Sequence, residues 1–160
     1  MMKKATAIIQ HITYNALDEK YDTAVFTDPT IKGQLEKNAV KIKKHLYDHV
    51  VYDSTNEKNF AMELDASKDV AVYVKLPSGF YISTPVGKYN PDWAIAFYEG
   101  NIKHIYFVAE TKGSMNSMQL RRVEESKIHC AKEHFKAISS DSVVYDVVDS
   151  YKSLLDKVMR

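Results

Sequence analysis

Two apolar segments joined by a short polar turn constrain the fold of this chain more than any other feature of its sequence. Residues 92–98 are apolar on both faces after the first residue, which is typical of a strand in the middle of a sheet. Residues 103–110 form the second segment, and the turn between the two contains Gly100 and Asn101. This spacing predicts two antiparallel neighbours at the centre of a sheet.

The remaining pattern predicts an α/β or α+β arrangement around this pair. Ser54 and Glu57 have the spacing of a capping box, which predicts a helix that ends near Ala66. β-branched residues predict a strand at 70–76, and clustered Pro and Gly predict an irregular segment or a short strand at 77–91. Three further elements are expected: a long helix at 115–137, a short strand at 142–145 and a closing helix at 149–159.

Residues 1–44 have a less regular pattern. Residues 5–14 and 21–27 are rich in Ile, Thr, Tyr and Val, which predicts two strands. Residues 30–46 place apolar side chains at roughly helical spacing, which predicts a helix. We therefore expect residues 1–44 to be an N-terminal hairpin or linker region and residues 45–160 to be the main domain.

Composition and charge narrow the function classes. A chain of 160 residues with 45% hydrophobic and 27% charged residues suits one globular domain. The formal net charge is only +1, whereas a free-standing DNA-binding protein usually has a larger basic excess. The single cysteine, Cys130, excludes an internal disulfide and indicates a reducing compartment.

Charged residues stand at the ends of the two central strands. Asp92 begins the first strand, and Glu110 and Lys112 end the second, where alternate residues project from the same face. If residues 100–102 form the hairpin loop, the register places Asp92 opposite Glu110, with Cβ atoms about 5 Å apart. Because a charge at the end of an apolar strand is costly without a partner, the pattern predicts a shared polar site.

Two carboxylates and one ammonium group in this arrangement suit the hydrolysis of a phosphodiester. Mg²⁺ in proteins is typically held by one or two carboxylates together with waters and phosphate oxygens. A bound cation polarises the phosphate, and a neighbouring lysine offsets the charge that develops on it. Taken alone, the tripeptide at 110–112 fits a solvated charge pair at a strand end far better than a catalytic site, because lysine is common in this chain.

Pro91 and Asp92 together with residues 110–112 resemble the PD-(D/E)XK nuclease motif. Four longer segments resemble the C-terminal endonuclease domain of the restriction (Res) subunit of type III restriction–modification enzymes: residues 47–54, 74–77, 84–94 and 127–135. The resemblance covers about residues 45–137. It implies a restriction-endonuclease-like α/β (α+β) core in which helices flank a mixed central sheet, in the order α-β-β-β-α-β.

The resemblance also implies an activity and a set of site residues. The activity is metal-dependent cleavage of double-stranded DNA, with Mg²⁺ or Mn²⁺ as the cofactor. Asp92, Glu110 and Lys112 are the expected catalytic residues. Asp92, Glu110 and the backbone carbonyl of Thr111 are the expected metal ligands.

Three additional candidates each have two interpretations. Glu57 matches the acid that this fold often supplies from its first helix, but it also fits a capping residue. Lys75 either faces the metal cleft or a DNA phosphate, or is a surface lysine. Lys127 lies in the apolar stripe of the long helix, where a half-buried ammonium group needs a carboxylate or phosphate partner.

In the enzymes that this chain resembles, the domain follows a helicase-like motor and acts with a methyltransferase (Mod) subunit in a bacterial or archaeal cytoplasm. We therefore expect residues 1–44 to include the tail of such a motor. We expect ATP to act only through the motor, because the G-x-x-x-x-G-K-[ST] motif is missing from this sequence. Two alternatives stay open: a non-catalytic module that binds DNA or a partner, and a repair or Holliday-junction nuclease.

Overall fold

The computed structural model describes residues 33–35, 37–98, 106–111, 118–138 and 143–159. Eleven elements occur in these ranges: β1 (Ala39–Lys41), β2 (His49–Val51), α1 (Thr55–Ala66), β3 (Val70–Lys75), β4 (Ile82–Thr84), β5 (Gly87–Tyr89), β6 (Trp93–Phe97), β7 (Tyr106–Thr111), α2 (Met118–Ile138), β8 (Val143–Val148) and α3 (Tyr151–Val158). From α1 onward, this order confirms the predicted one except at 77–91, where two short strands replace the predicted irregular segment or single short strand. The architecture is mixed α/β and is compatible with a restriction-endonuclease-like fold.

The central sheet has the strand order β3-β6-β7-β8. β6 is antiparallel to both of its neighbours, and β7 is parallel to β8. The register pairs Trp93 with Ala109 and Ala96 with Tyr106, as the sequence predicted. The predicted loop at residues 100–102 lies outside the described residues.

Helices cover both faces of this sheet. On one face, Val70 and Tyr73 of β3 and alternate residues of β6 are buried in a core shared with α1 and α3. This main core includes Phe60, Leu64, Tyr73, Trp93, Ile95, Phe97, Leu154 and Val158. On the other face, α2 and the β4–β5 hairpin form a second core in which the Phe135 and Tyr145 rings stack at 5.3 Å. None of the helices in the described ranges combines the length and apolar character needed to cross a membrane.

β1 and β2 form an antiparallel hairpin that packs against the main core. Val50 of β2 is fully buried there, and Val40 of β1 packs beside it. The helix predicted for residues 30–46 is therefore wrong over residues 39–46. The pairing of β1 with β2 and the packing of Val40 against the main core prevail over the loose helical spacing. The strands predicted at 5–14 and 21–27, and the boundary at residue 44, stay predictions.

The segment after β1 continues along the outer edge of β3. The Leu46 N–H donates to the Tyr73 carbonyl at 2.9 Å, and the Tyr73 N–H donates to the Lys44 carbonyl at 3.1 Å. His45 lies between these two hydrogen bonds and forms an isolated parallel bridge with Tyr73. This edge pairing holds the β1–β2 hairpin beside the carboxyl end of β3.

The Pro- and Gly-rich segment at 77–91 forms a regular hairpin rather than a single short strand. β4 and β5 pair through Ile82 and Tyr89 at one end and Thr84 and Gly87 at the other. Gly87 has a φ of +115°, which side chains rarely adopt, so glycine suits the residue that ends this tight turn.

Candidate active site

Asp92 lies directly before β6, at the end of the sheet where β3 finishes. Its backbone carbonyl accepts a hydrogen bond from the Leu76 N–H at 2.7 Å. The last pair of the register between β6 and β7 joins Trp93 to Ala109, so the next positions along the chain are Asp92 and Glu110. The backbone register therefore brings these two predicted ligands to neighbouring positions.

The carboxyl end of β7 lies between Asp92 and the last residues of β8. Glu110 pairs with Val147 in the parallel register, and Thr111 pairs with Val148. Thr111 therefore ends its strand at the same edge of the sheet as Glu110. The side chain of Glu110 and all of Lys112 lie outside the described residues, so their roles stay predictions.

Lys75 ends β3 and forms an ion-pair cluster with two carboxylates. Its Nζ lies 2.7 Å from Glu57 Oε2 and 3.0 Å from Asp53 Oδ2. The side chains of Lys75 and Glu57 are only 19% and 14% exposed, whereas that of Asp53 is 84% exposed. The Lys75–Glu57 pair is thus shielded from water, and the contact to Asp53 is at the surface.

Glu57 fulfils the capping role that its spacing predicted. Its Oε2 accepts the Asp53 N–H at 2.8 Å, and its own N–H donates to the Ser54 Oγ at 3.2 Å. The same carboxylate also binds the Lys75 ammonium group. The capping role is therefore confirmed, and a role for Glu57 as a metal ligand stays a prediction.

The charges in this cluster keep Lys75 protonated. Burial alone would lower the pKa of the ammonium group, but the hydrogen bonds and negative charges of Glu57 and Asp53 outweigh burial and raise this pKa above its ordinary value. Lys75 therefore remains a cation that neutralises part of the acidic charge at this end of the sheet. Sequence reasoning singled out Lys75 and Glu57 but missed Asp53, whose only signal is its position before the helix cap.

The His45 side chain is hydrogen-bonded to the backbone of Lys75. Its Nε2 accepts the Lys75 N–H at 3.0 Å, and its Nδ1 lies 3.2 Å from the Tyr47 carbonyl. The Tyr47 N–H also donates to Nδ1 at 3.1 Å, so the ring contacts both backbone groups of Tyr47. Burial lowers the pKa of His45 to about 4, which keeps the ring neutral near pH 7. No motif in the sequence pointed to this residue.

A cleft of about 900 Å³ separates the β1–β2 hairpin from the end of β3. The hairpin side contributes His45, Tyr47, Asp48 and His49 among others, and the opposite side contributes Asp53, Lys75, Leu76, Pro77 and Ser78. One of the residues that line the cleft, Leu76, donates its N–H to the Asp92 carbonyl.

The role expected for Lys127 stays a prediction. Lys127 is half-buried on α2, as predicted, and makes no ion pair with any residue in the described ranges. Within those ranges, no group of three or more His, Cys, Asp or Glu side chains is arranged to hold a metal ion. A metal site at Asp92 therefore needs the side chain of Glu110, which lies outside the described part.

The site stands inside a segment that matches a known family. A family model described as an endonuclease domain matches residues 43–151, which is more than half of the chain. The chain belongs to this endonuclease-domain family. The matched segment contains Asp92, Glu110, Lys112 and the cluster around Lys75, and membership indicates that the domain is a nuclease. Searches among curated proteins and among solved structures gave no match.

The buried His45 predicts a pH-dependent stability. Between about pH 4 and its ordinary pKa of 6.5, the unfolded chain binds more protons at His45 than the folded chain does. The free energy of unfolding should therefore fall by about 3 kcal/mol as the pH falls through this range. His45→Gln keeps an acceptor for the Lys75 N–H but does not titrate, so urea unfolding should show a flatter pH dependence. His129→Asn, at an exposed histidine of α2, is the matched control, and an unchanged slope in His45→Gln contradicts the assignment.

The difference in exposure between the two carboxylates predicts different coupling to Lys75. A double-mutant cycle of Glu57→Gln with Lys75→Met should give a coupling free energy of about 1–3 kcal/mol in urea unfolding. The matched cycle of Asp53→Asn with Lys75→Met should give about 0–1 kcal/mol, because Asp53 is largely solvated. Equal couplings in the two cycles would contradict the shielded pair.

Proposed function

We propose that this domain hydrolyses phosphodiester bonds of double-stranded DNA, with Asp92, Glu110 and Lys112 as its catalytic residues. The observation that carries the proposal is the register between β6 and β7, which makes Asp92 and Glu110 neighbours at one end of the central sheet. Residues two apart in an extended strand share a face, so Lys112 is expected to project with Glu110. Membership of the endonuclease-domain family supports the same reaction class.

We further propose that Mg²⁺ is the cofactor, with Mn²⁺ as an acceptable substitute. The donor set at these strand ends fits the ion, because carboxylate and backbone carbonyl oxygens are the protein ligands that Mg²⁺ prefers. Asp92, Glu110 and the Thr111 carbonyl would hold it, and when bound it supplies positive charge to the scissile phosphate. Lys112 stabilises the negative charge that develops on the same phosphate during attack by water.

The Lys75 cluster supports this site from the neighbouring strand. Lys75 pairs with Trp93 across β3 and β6, so it lies one residue from Asp92 in the register. Its ammonium group already neutralises Glu57 and part of the charge of Asp53. Lys75 therefore limits the repulsion that these acids would exert on DNA phosphates entering the cleft.

The biological setting that we propose is a type III restriction–modification system in a bacterial or archaeal cytoplasm. The resemblance of residues 84–94 to the Res endonuclease domain supports this setting. The net charge of +1 supports it as well, because a nuclease tethered to a motor and to a Mod subunit gains DNA affinity from its partners. ATP would then be used by the motor, and the methyltransferase would read the recognition site.

Single substitutions at the three catalytic positions test the proposed reaction. Asp92→Asn, Glu110→Gln and Lys112→Met should each lower the rate of duplex DNA cleavage by roughly 10²-fold or more, because each removes a group that stabilises the transition state. Cleavage should require Mg²⁺ or Mn²⁺ and should stop when EDTA removes the ion. In an assembly with motor and Mod subunits, ATP hydrolysis and methylation should persist.

Asp156→Asn is the matched control, because it removes one carboxylate from an exposed position of α3. This variant should cleave at the wild-type rate. Loss of ATP hydrolysis in all three site variants would instead indicate a non-catalytic docking module. Undiminished cleavage in Asp92→Asn or Glu110→Gln would overturn the assignment of the active site.

A further inference from the structure

Positive charge is concentrated in residues 37–49, which contain the β1–β2 hairpin. Four lysines against one aspartate give this segment a formal charge of +3, whereas the whole chain has +1. The lysines are Lys37, Lys41, Lys43 and Lys44. The near-neutral total therefore conceals a locally basic surface.

Three of these lysines are exposed and form no ion pair with a carboxylate in the described part of the chain. Among the described residues, no carboxylate lies within ion-pair distance of Lys37, Lys41 or Lys43. By contrast, Lys75 and Lys157 form ion pairs with carboxylates. Neighbouring cations repel one another, and binding to a polyanion relieves that repulsion.

The backbone that carries these lysines is fixed to the core. The Oδ1 of Asp65 accepts the N–H groups of Lys43 and Lys44 at 2.9 and 2.7 Å. The Lys44 ammonium group donates to the Ser67 carbonyl, and Ile42 is buried in the main core. Because the backbone of the exposed lysines is already fixed, this segment loses less conformational entropy when a ligand binds.

The basic surface leads into the cleft beside Asp92. Lys41 pairs with His49 across the hairpin, and residues opposite one another in an antiparallel pair share a face. His49 lines the cleft together with Leu76, whose N–H binds the Asp92 carbonyl. A chain of phosphates lying along the hairpin would therefore border the cleft at the end of β3.

We propose that Lys37, Lys41 and Lys43 bind the phosphate backbone of duplex DNA next to the cleavage site. This inference rests on the proposed function and names the surface by which the domain holds its substrate. Residues 37 and 43 are at most about 20 Å apart along the chain, which corresponds to about six base pairs at 3.4 Å each. Lysine contacts to phosphates position DNA without reading its sequence, so the surface is not a source of site specificity.

The salt dependence of DNA binding tests this surface. Fluorescence anisotropy would measure the affinity of the full chain for a labelled duplex from about 10 mM to about 200 mM salt, with Asp92→Asn in every protein to prevent cutting. Two triple variants remove the same charge from exposed positions. The test variant is Lys37→Gln/Lys41→Gln/Lys43→Gln, and the control is Lys68→Gln/Lys136→Gln/Lys152→Gln.

The test variant should bind more weakly, and the slope of log K against log salt should become shallower by about 2.7, because three phosphate contacts are lost. The control should keep the slope of its parent. Equal slopes in the two triple variants would overturn the inference. They would indicate that DNA binding depends only on the net charge of the protein, or that the hairpin binds a different partner. The inference would also be overturned if the parent protein showed no binding to the duplex at about 10 mM salt, or binding that did not weaken as salt was added.

Separate readouts distinguish this inference from the proposed function. Cleavage by the chain with and without Asp92→Asn tests the active site, whereas the anisotropy slope tests only the hairpin. If Asp92→Asn leaves cleavage unchanged while the hairpin variant loses its slope, the active-site assignment fails and the binding surface stands. If Asp92→Asn abolishes cleavage while the hairpin variant keeps the slope of its parent, the active-site assignment stands and the binding surface fails.

Discussion

The hydrogen-bonded register between β6 and β7 is the constraint on which the candidate site depends. Side chains alternate along a strand, so a slip of one residue would move every side chain of β6 to the other face. The buried rings and side chains of Trp93, Ile95 and Phe97 prevent this slip, because all three must enter the core on the side of α1 and α3. Core packing therefore fixes the position of Asp92 relative to Glu110.

The third strand at this end of the sheet links the site to the β1–β2 hairpin. The backbone of Leu76 is hydrogen-bonded to Asp92, and the backbone of Lys75 is hydrogen-bonded to His45. The neutral imidazole of His45 is therefore a structural connection between the cleft and the strand that flanks Asp92. The shielded pair of Lys75 and Glu57 adds a second connection, from β3 to the first turn of α1.

Much of this arrangement could be predicted from the sequence, because local signals agreed with the tertiary structure. The capping box at Ser54 places the start of α1, and the spacing of the two apolar segments in the sequence predicts the register that β6 and β7 have. Both signals depend on residues that are close in the chain. The proposed metal ligands follow from the same register.

Other features depend on contacts between residues that are distant in the chain. The strand at 39–41 forms because β2 and the core cover Val40, and no local pattern announces that partner. His45 and Lys75 are thirty residues apart, and their hydrogen bond exists only because residues 44–46 run along the edge of β3. Spacing along the sequence cannot reveal such pairs.

The position of a bound metal ion would test whether Asp92 and Glu110 form one metal site. Crystals soaked with Mn²⁺ and measured near the manganese absorption edge would show the ion by its anomalous scattering. We expect an anomalous-scattering peak between Asp92 and Glu110, with carboxylate oxygens from both residues about 2.0–2.6 Å from the ion. Carboxylates more than about 8 Å apart with no ion between them, or an ion held by other residues, would contradict it.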